Sequence, residues 1–351
     1  MRVFACDHCD QVVFFDNDTC LRCSSPLGYI AARADIVSLT EVAPGRLVDL
    51  SGAPRAWQRC ATAAITGCNW LVPYGSDGMC ESCSLTRTRP ADDDQVGLAE
   101  FFQAETAKRR LLFQLAQLGL PVDKRDDEAE KGLAFDLLSS ETTKVITGHD
   151  NGVVTLDLAE ADDEHRERLR HELDEPYRTL LGHFRHEIGH YYWPILVTDP
   201  DVLDACRALF GDDREDYAQA VKRYYAEAAV EGQLWPQTHI SVYATMHPYE
   251  DWAETFAHYL HILDTLQTAD CFGLGDGPSG TGDATRPDGA RTFGEVIDRW
   301  LGLTRALNEV NRSMGKEDLY PFVIAPPVVR KLAFVDRTVR RWQKAHGMTF
   351  A

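Results

Sequence analysis

The chain has 351 residues, long for a single core, and its hydrophobic (44%) and charged (26%) fractions are those of an ordinary soluble globular protein of two or three units. A net charge of −19 repels phosphate backbones and anionic membrane surfaces, so neither nucleic acid nor a membrane is an expected partner. No stretch approaches ~18 uninterrupted apolar residues, and the opening MRVFACDHCD lacks the layout of a secretory signal, which points to the cytoplasm.

Residues 1–90 are rich in Cys, Gly and Pro with short apolar runs, a pattern of strands and loops. Eight of the ten cysteines lie in the first 83 residues, and without an export signal such thiols are better metal ligands than disulfides. Cys6-x-x-Cys9 and Cys20-x-x-Cys23 are two knuckles whose four thiolates can close a tetrahedral zinc site. Cys60, Cys68, Cys80 and Cys83 form a second quartet around one C-x-x-C pair. Cys206 and Cys271 stand apart, as small buried hydrophobes would. Residues 1–90 carry no lysine and eight arginines against nine acidic residues, so the module lacks a footprint for phosphate; structural support or docking of a protein partner suits it better.

The character changes near Asp94. Phe101, Phe102, Leu111, Leu112, Leu115 and Leu118 recur at helical spacing, and Gly119 and Pro121 stop that helix. Residues 132–138, 144–147 and 153–158 read as strands, with Asn151-Gly152 as a tight hairpin turn. Helical patterns follow over 162–193, with Pro176 opening a new helix, and over 201–229, 248–266, 293–314 and 328–343. Residues 273–291 hold six glycines and two prolines and read as a flexible loop.

His186-Glu187-Ile188-Gly189-His190 is an H-E-x-x-H sequence. On a helix its histidines project from one face toward a single zinc, and Glu187 reaches the water to be activated. A catalytic zinc needs a third protein ligand and one open position. Residues 248–261 offer it: Glu250, Glu254, His258 and His261 form a polar stripe, while Trp252, Phe256, Tyr259 and Leu263 face a core. Glu254 is the expected ligand because Ala253 beside it lets the helix approach the zinc, and His258 is the expected orienting partner one turn on. Glu250 and Asp251 are rivals, although a helix's first turn favours carboxylates without any metal. Tyr243 and His247 are candidate donors to an oxyanion. The strand 152–158 would be the sheet edge on which a peptide substrate is laid.

With these residues assembled, the chain resembles the bacterial zinc-binding metallopeptidases that carry an N-terminal zinc-ribbon domain. The resemblance is carried by Cys6, Cys9, Cys20 and Cys23, by 68–72, by 147–152, by 175–183, by His186 to Trp193 and by His247 to His261. It implies a gluzincin-like fold with the metal on His186, His190 and Glu254, and Glu187 as the catalytic glutamate. The expected architecture is α+β: a zinc-ribbon module at 1–90, then a mostly helical zincin-like domain at 91–351 with a small antiparallel sheet. One catalytic and two structural zinc ions are expected, and a peptide or protein as substrate. The alternative function is a ribbon-based binding or scaffold protein whose H-E-x-x-H domain holds metal without turnover.

Overall fold

The computed structural model describes residues 1–50, 55–140, 145–162, 179–227, 235–274 and 292–348. The chain is α+β, strand-rich in its N-terminal zinc-ribbon region and helical in its C-terminal part. It packs as two units, Met1–Gln114 with Val122–Asp163, and Leu115–Pro121 with Glu164–Ala351. The packing therefore divides later than the composition change near residue 90.

In the first unit, β1 (Phe4–Ala5) and β2 (Val12–Val13) form the arch of the first cysteine quartet. An antiparallel meander follows: β3 (Leu27–Ile30), β4 (Asp35–Ala43), β5 (Arg46–Asp49), β6 (Ala56–Arg59) and β7 (Leu71–Pro73). A single helical turn, α1 (Ala63–Thr66), sits between β6 and β7. Phe4, Phe15, Tyr29 and Trp70 pack into one core, and the long helix α2 (Gln95–Gln117) adds Phe113, whose ring lies 4.6 Å from that of Phe15. That contact explains why α2 as far as Gln114 packs with the cysteine module: its apolar face has its partner there.

A four-stranded sheet completes this unit in the order β10 (Gly148–Asp150), β11 (Val153–Asp157), β9 (Ala134–Leu138), β8 (Thr86–Thr88). Asn151 and Gly152 make the turn between β10 and β11 with φ of 45° and 84°, the positive values a two-residue hairpin needs. Of the strand expected at 144–147, residue 144 lies outside the described residues and 145–147 are not in a strand; β10 begins at Gly148, directly before that turn. Two further expectations are corrected. The sheet is mixed, not antiparallel, because β11–β9 and β8–β9 run parallel. And β11 is an interior strand, paired on both sides, so it offers no free edge to a substrate.

The second unit is built from α3 (Leu180–Leu196), α4 (Pro200–Phe210), α5 (Tyr217–Glu227), α6 (Pro248–Cys271), α7 (Phe293–Ser313) and α8 (Pro326–Ala345). The single helix expected over 201–229 is two, because Gly211 ends α4 at φ 107°. Trp252 and Phe256 of α6 are fully buried, as the apolar side of its pattern requires. Pro176 and residues 275–291 lie outside the described residues. Among the described residues no helix is long and apolar enough to cross a membrane.

Candidate active site

The H-E-x-x-H sequence lies on α3. Thr179 caps this helix by accepting a hydrogen bond from Gly182 N at 3.0 Å. Near the other end, Pro194 has no N–H to offer the carbonyl of His190, and the Tyr249 hydroxyl donates to that oxygen at 3.2 Å. The α6 residues that face α3 thus repair its backbone as well as pack on it; Trp252 Nε1 likewise donates to Gly189 O at 2.9 Å.

The two helices cross where neither has a large side chain. A Cβ on Gly189 would lie 3.0 Å from Ala253 Cα, so the backbones touch. Next to this crossing, His186 Nε2 is 2.9 Å from Glu250 Oε2 and 3.2 Å from His190 Nε2, and His190 Nε2 is 3.3 Å from Glu250 Oε2. Zinc bonds of 2.0–2.1 Å in a tetrahedron require donors about 3.3 Å apart. Two of the three separations meet that spacing and the third, between His186 and Glu250, is shorter; two imidazoles with one carboxylate are a donor set that suits zinc.

Glu254 is placed elsewhere than the sequence suggested. Its Oε1 contacts the other ring nitrogen, His186 Nδ1, at 2.7 Å, and its Oε2 accepts from Ser241 Oγ at 2.6 Å. The reason is the antiparallel run of the helices: one turn forward on α3, from His186 to His190, is one turn backward on α6, from Glu254 to Glu250. His186 lies between both carboxylates, and only Glu250 also reaches His190. Burial opposes charge on His186, but the hydrogen bonds that Glu250 and Glu254 accept from it prevail and hold its pKa well above the ordinary value. Burial likewise opposes ionisation of Glu254, yet His186 holds it down at about 2.

Asp251, the other rival, is bound to Lys331 at 2.5 Å, both groups being buried. Burial pushes its carboxyl up to about 7 against the pull of that ammonium. Glu187 is 6% exposed on α3 between the histidines. The ring of Tyr243 is 5.7 Å from that of His186. Burial and the nearby carboxylates of Glu250 and Glu187 raise the Tyr243 pKa far above the ordinary phenol value, so its hydroxyl stays a donor. His247 is spent on structure: Nδ1 accepts from Tyr249 N at 3.0 Å as the cap of α6, and Nε2 donates to Glu215 O at 3.1 Å. His258 hydrogen-bonds the Tyr320 hydroxyl at 2.8 Å, and His261 faces Arg185.

In the first unit both cysteine quartets assemble. Sulfur separations of 3.7 Å (Cys6–Cys23), 3.7 Å (Cys9–Cys20) and 3.6 Å (Cys68–Cys80) match the edge of about 3.8 Å that Zn–S bonds near 2.3 Å imply. In the first quartet, hydrogen bonds from Ser25 hold the Cys23 thiol down at about 6. The second quartet is wholly buried, and Glu105 of α2 reaches Cys83 at 3.8 Å while paired with Lys108 at 2.5 Å, all inside the core.

A strand-rich cysteine unit, followed in sequence by a helical unit that holds a two-histidine, one-carboxylate cluster, defines a zinc-ribbon metalloprotein. The chain belongs to the family described as "Putative zinc-binding metallo-peptidase", which matches residues 97–338, and residues 3–94 match a zinc-ribbon domain. It is 50% identical over 354 residues to uncharacterized proteins of Mycobacterium tuberculosis (strain ATCC 25618 / H37Rv) and Mycobacterium bovis, covering 99% of this chain and 99% of each relative. No solved structure matches it.

Proposed function

We propose that the chain is a zinc-dependent peptidase whose metal is held by His186, His190 and Glu250, with Glu187 as general base. The observation that carries this is the convergence, at 2.9, 3.2 and 3.3 Å, of two donor atoms on α3, the helix that bears Glu187, with one on α6. Zinc in that position supplies a Lewis acid for the scissile carbonyl and acidifies water. Glu187 takes the proton of the attacking water and hands it to the leaving amine. Glu254 accepts a hydrogen bond from His186 Nδ1–H, which fixes the tautomer that leaves Nε2 free as a ligand. Tyr243 donates to the developing oxyanion; His247, with both nitrogens engaged, does not.

Two further zinc ions in the cysteine quartets bring the proposed content to three per chain. Ten free cysteines suit a reducing compartment such as the cytoplasm. Exposed Val12 on β2, with Phe14 and Leu21 on the loops of the first quartet, favours docking of a protein by that module. The test is a mixed peptide library with Glu187→Gln and Glu250→Ala. Glu187→Gln is expected to keep three zinc ions and lose hydrolysis, and Glu250→Ala to lose one zinc and hydrolysis together. Hydrolysis by Glu187→Gln near the wild-type rate refutes the mechanism; a wild-type protein with three zinc ions and no turnover on any peptide leaves the binding protein in its place.

A further inference from the structure

We infer that Tyr217 is a positioning residue for the third zinc ligand: its hydroxyl holds one oxygen of Glu250, so that a single oxygen faces the two histidines. The inference rests on the zinc site proposed above. Tyr217 opens α5, far in sequence from both site helices, and its hydroxyl donates to Glu250 Oε1 at 2.8 Å. The other oxygen, Oε2, is the one 2.9 Å from His186 Nε2 and 3.3 Å from His190 Nε2. The carboxylate is thus divided between two tasks.

The phenol is itself held in place. Its ring packs edge-on against His247 at 5.3 Å, and His247 ties the segment before α5 to the start of α6 through Glu215 O and Tyr249 N. The Glu250 side chain is 3% exposed, so water does not easily replace a lost donor at Oε1. A carboxylate released from Tyr217 can swing to offer both oxygens to the metal, which raises the coordination number and fills the position that a water nucleophile requires.

The experiment uses the full chain with zinc kept in the cysteine sites and cobalt loaded into the third site. Tyr217→Phe is expected to fold, to bind zinc at that site roughly 10- to 100-fold more weakly, and to show a weakened, shifted cobalt visible band as four-coordinate metal becomes five-coordinate. Tyr192→Phe is the structural control, since the hydroxyl it loses is bonded to the backbone at Pro121 O, 2.9 Å away; its melting point should fall with the cobalt spectrum unchanged. A wild-type zinc affinity and cobalt spectrum in Tyr217→Phe overturns the positioning role. Glu250→Ala separates the two levels. If it loses the third metal, the site stands and the result for Tyr217 decides the inference; if it retains metal with the wild-type spectrum, the proposed site falls and the positioning role with it.

Discussion

A methyl group added at Gly189 tests whether the crossing of α3 and α6 sets the geometry of the site. In Gly189→Ala the new carbon would lie 3.0 Å from Ala253 Cα, 3.2 Å from Ala253 O and 3.2 Å from Phe256 Cβ. Carbon atoms settle at roughly 3.5–4.0 Å, so the helices must part by about half an ångström. Such overpacking costs about 1–3 kcal/mol, against which alanine gains ~1 kcal/mol over glycine in a helix interior, leaving a net loss of about 0–2 kcal/mol. The effect on metal is the sharper one. Metal–ligand distances tolerate only about 0.2 Å, so parting α3 from α6 pulls the histidines from Glu250 and zinc affinity falls on the order of tenfold or more. Gly302→Ala on α7 is the matched control: nothing lies within 4 Å of its new methyl, so the same substitution should raise stability by up to ~1 kcal/mol and leave zinc alone. Thermal melts and zinc competition with a chelator read both. A Gly189→Ala protein that is stabilised like Gly302→Ala, with wild-type zinc affinity, refutes the close crossing.

Other outcomes are accessible to the same protein. Lys108→Met should destabilise the first unit by up to about 3–5 kcal/mol in urea titration, because buried Glu105 loses its partner at 2.5 Å and keeps only the guanidinium of Arg109 at 4.0 Å; adding Glu105→Met should recover part of the loss, since Arg109 then gives up its carboxylate. His258 is held down to about 4 by burial, with Glu254 opposing and Arg185 assisting. The unfolded state therefore takes up a proton that the native state refuses as pH falls from about 6.5 to 4, and roughly 3 kcal/mol of stability is lost over that window. Denaturant melts at both ends should show a shallower acid loss in His258→Leu; an unchanged slope would show that another group is responsible. Mild chelation should remove one zinc and all hydrolysis before the cysteine module unfolds, since the third site has an open position and the quartets do not. Release of all zinc in a single step would count against two kinds of site.

Much of this was legible in the sequence, and the gaps share a cause. The cysteine spacing, the H-E-x-x-H pattern and the Asn151-Gly152 turn are local signals, written within a few residues of each other. The polar stripe on α6 was visible too, but Ala253, expected to let the helix approach the zinc, lies instead against Gly189 of α3. Which carboxylate joins the two histidines was not visible, because Glu250 and Glu254 differ by one helical turn and share a face. Only the antiparallel direction of α6 against α3, and the register fixed at Gly189 and Ala253, set Glu250 beside His190. Tyr217 and Ser241 had no signal, since each reaches its carboxylate from a separate segment. The mixed sheet was missed for a similar reason: the partner of β9 is β8, which lies before the whole length of α2.

That last pairing bears on how the molecule is made. Both cysteine quartets are complete in the chain by residue 83, so a growing polypeptide has all eight thiols early. The unit that encloses them is not complete then. Phe113 must arrive to close the aromatic core around Phe15 and Tyr29, and β8 waits for β9, itself flanked by β11, which ends at Asp157. Metal capture can thus come first and burial last during synthesis, with the zinc knuckles keeping the early chain in register until its remaining partners emerge. A fragment cut where the composition changes near residue 90 would carry all eight cysteine ligands, yet it would expose the faces that Phe113 and β9 cover.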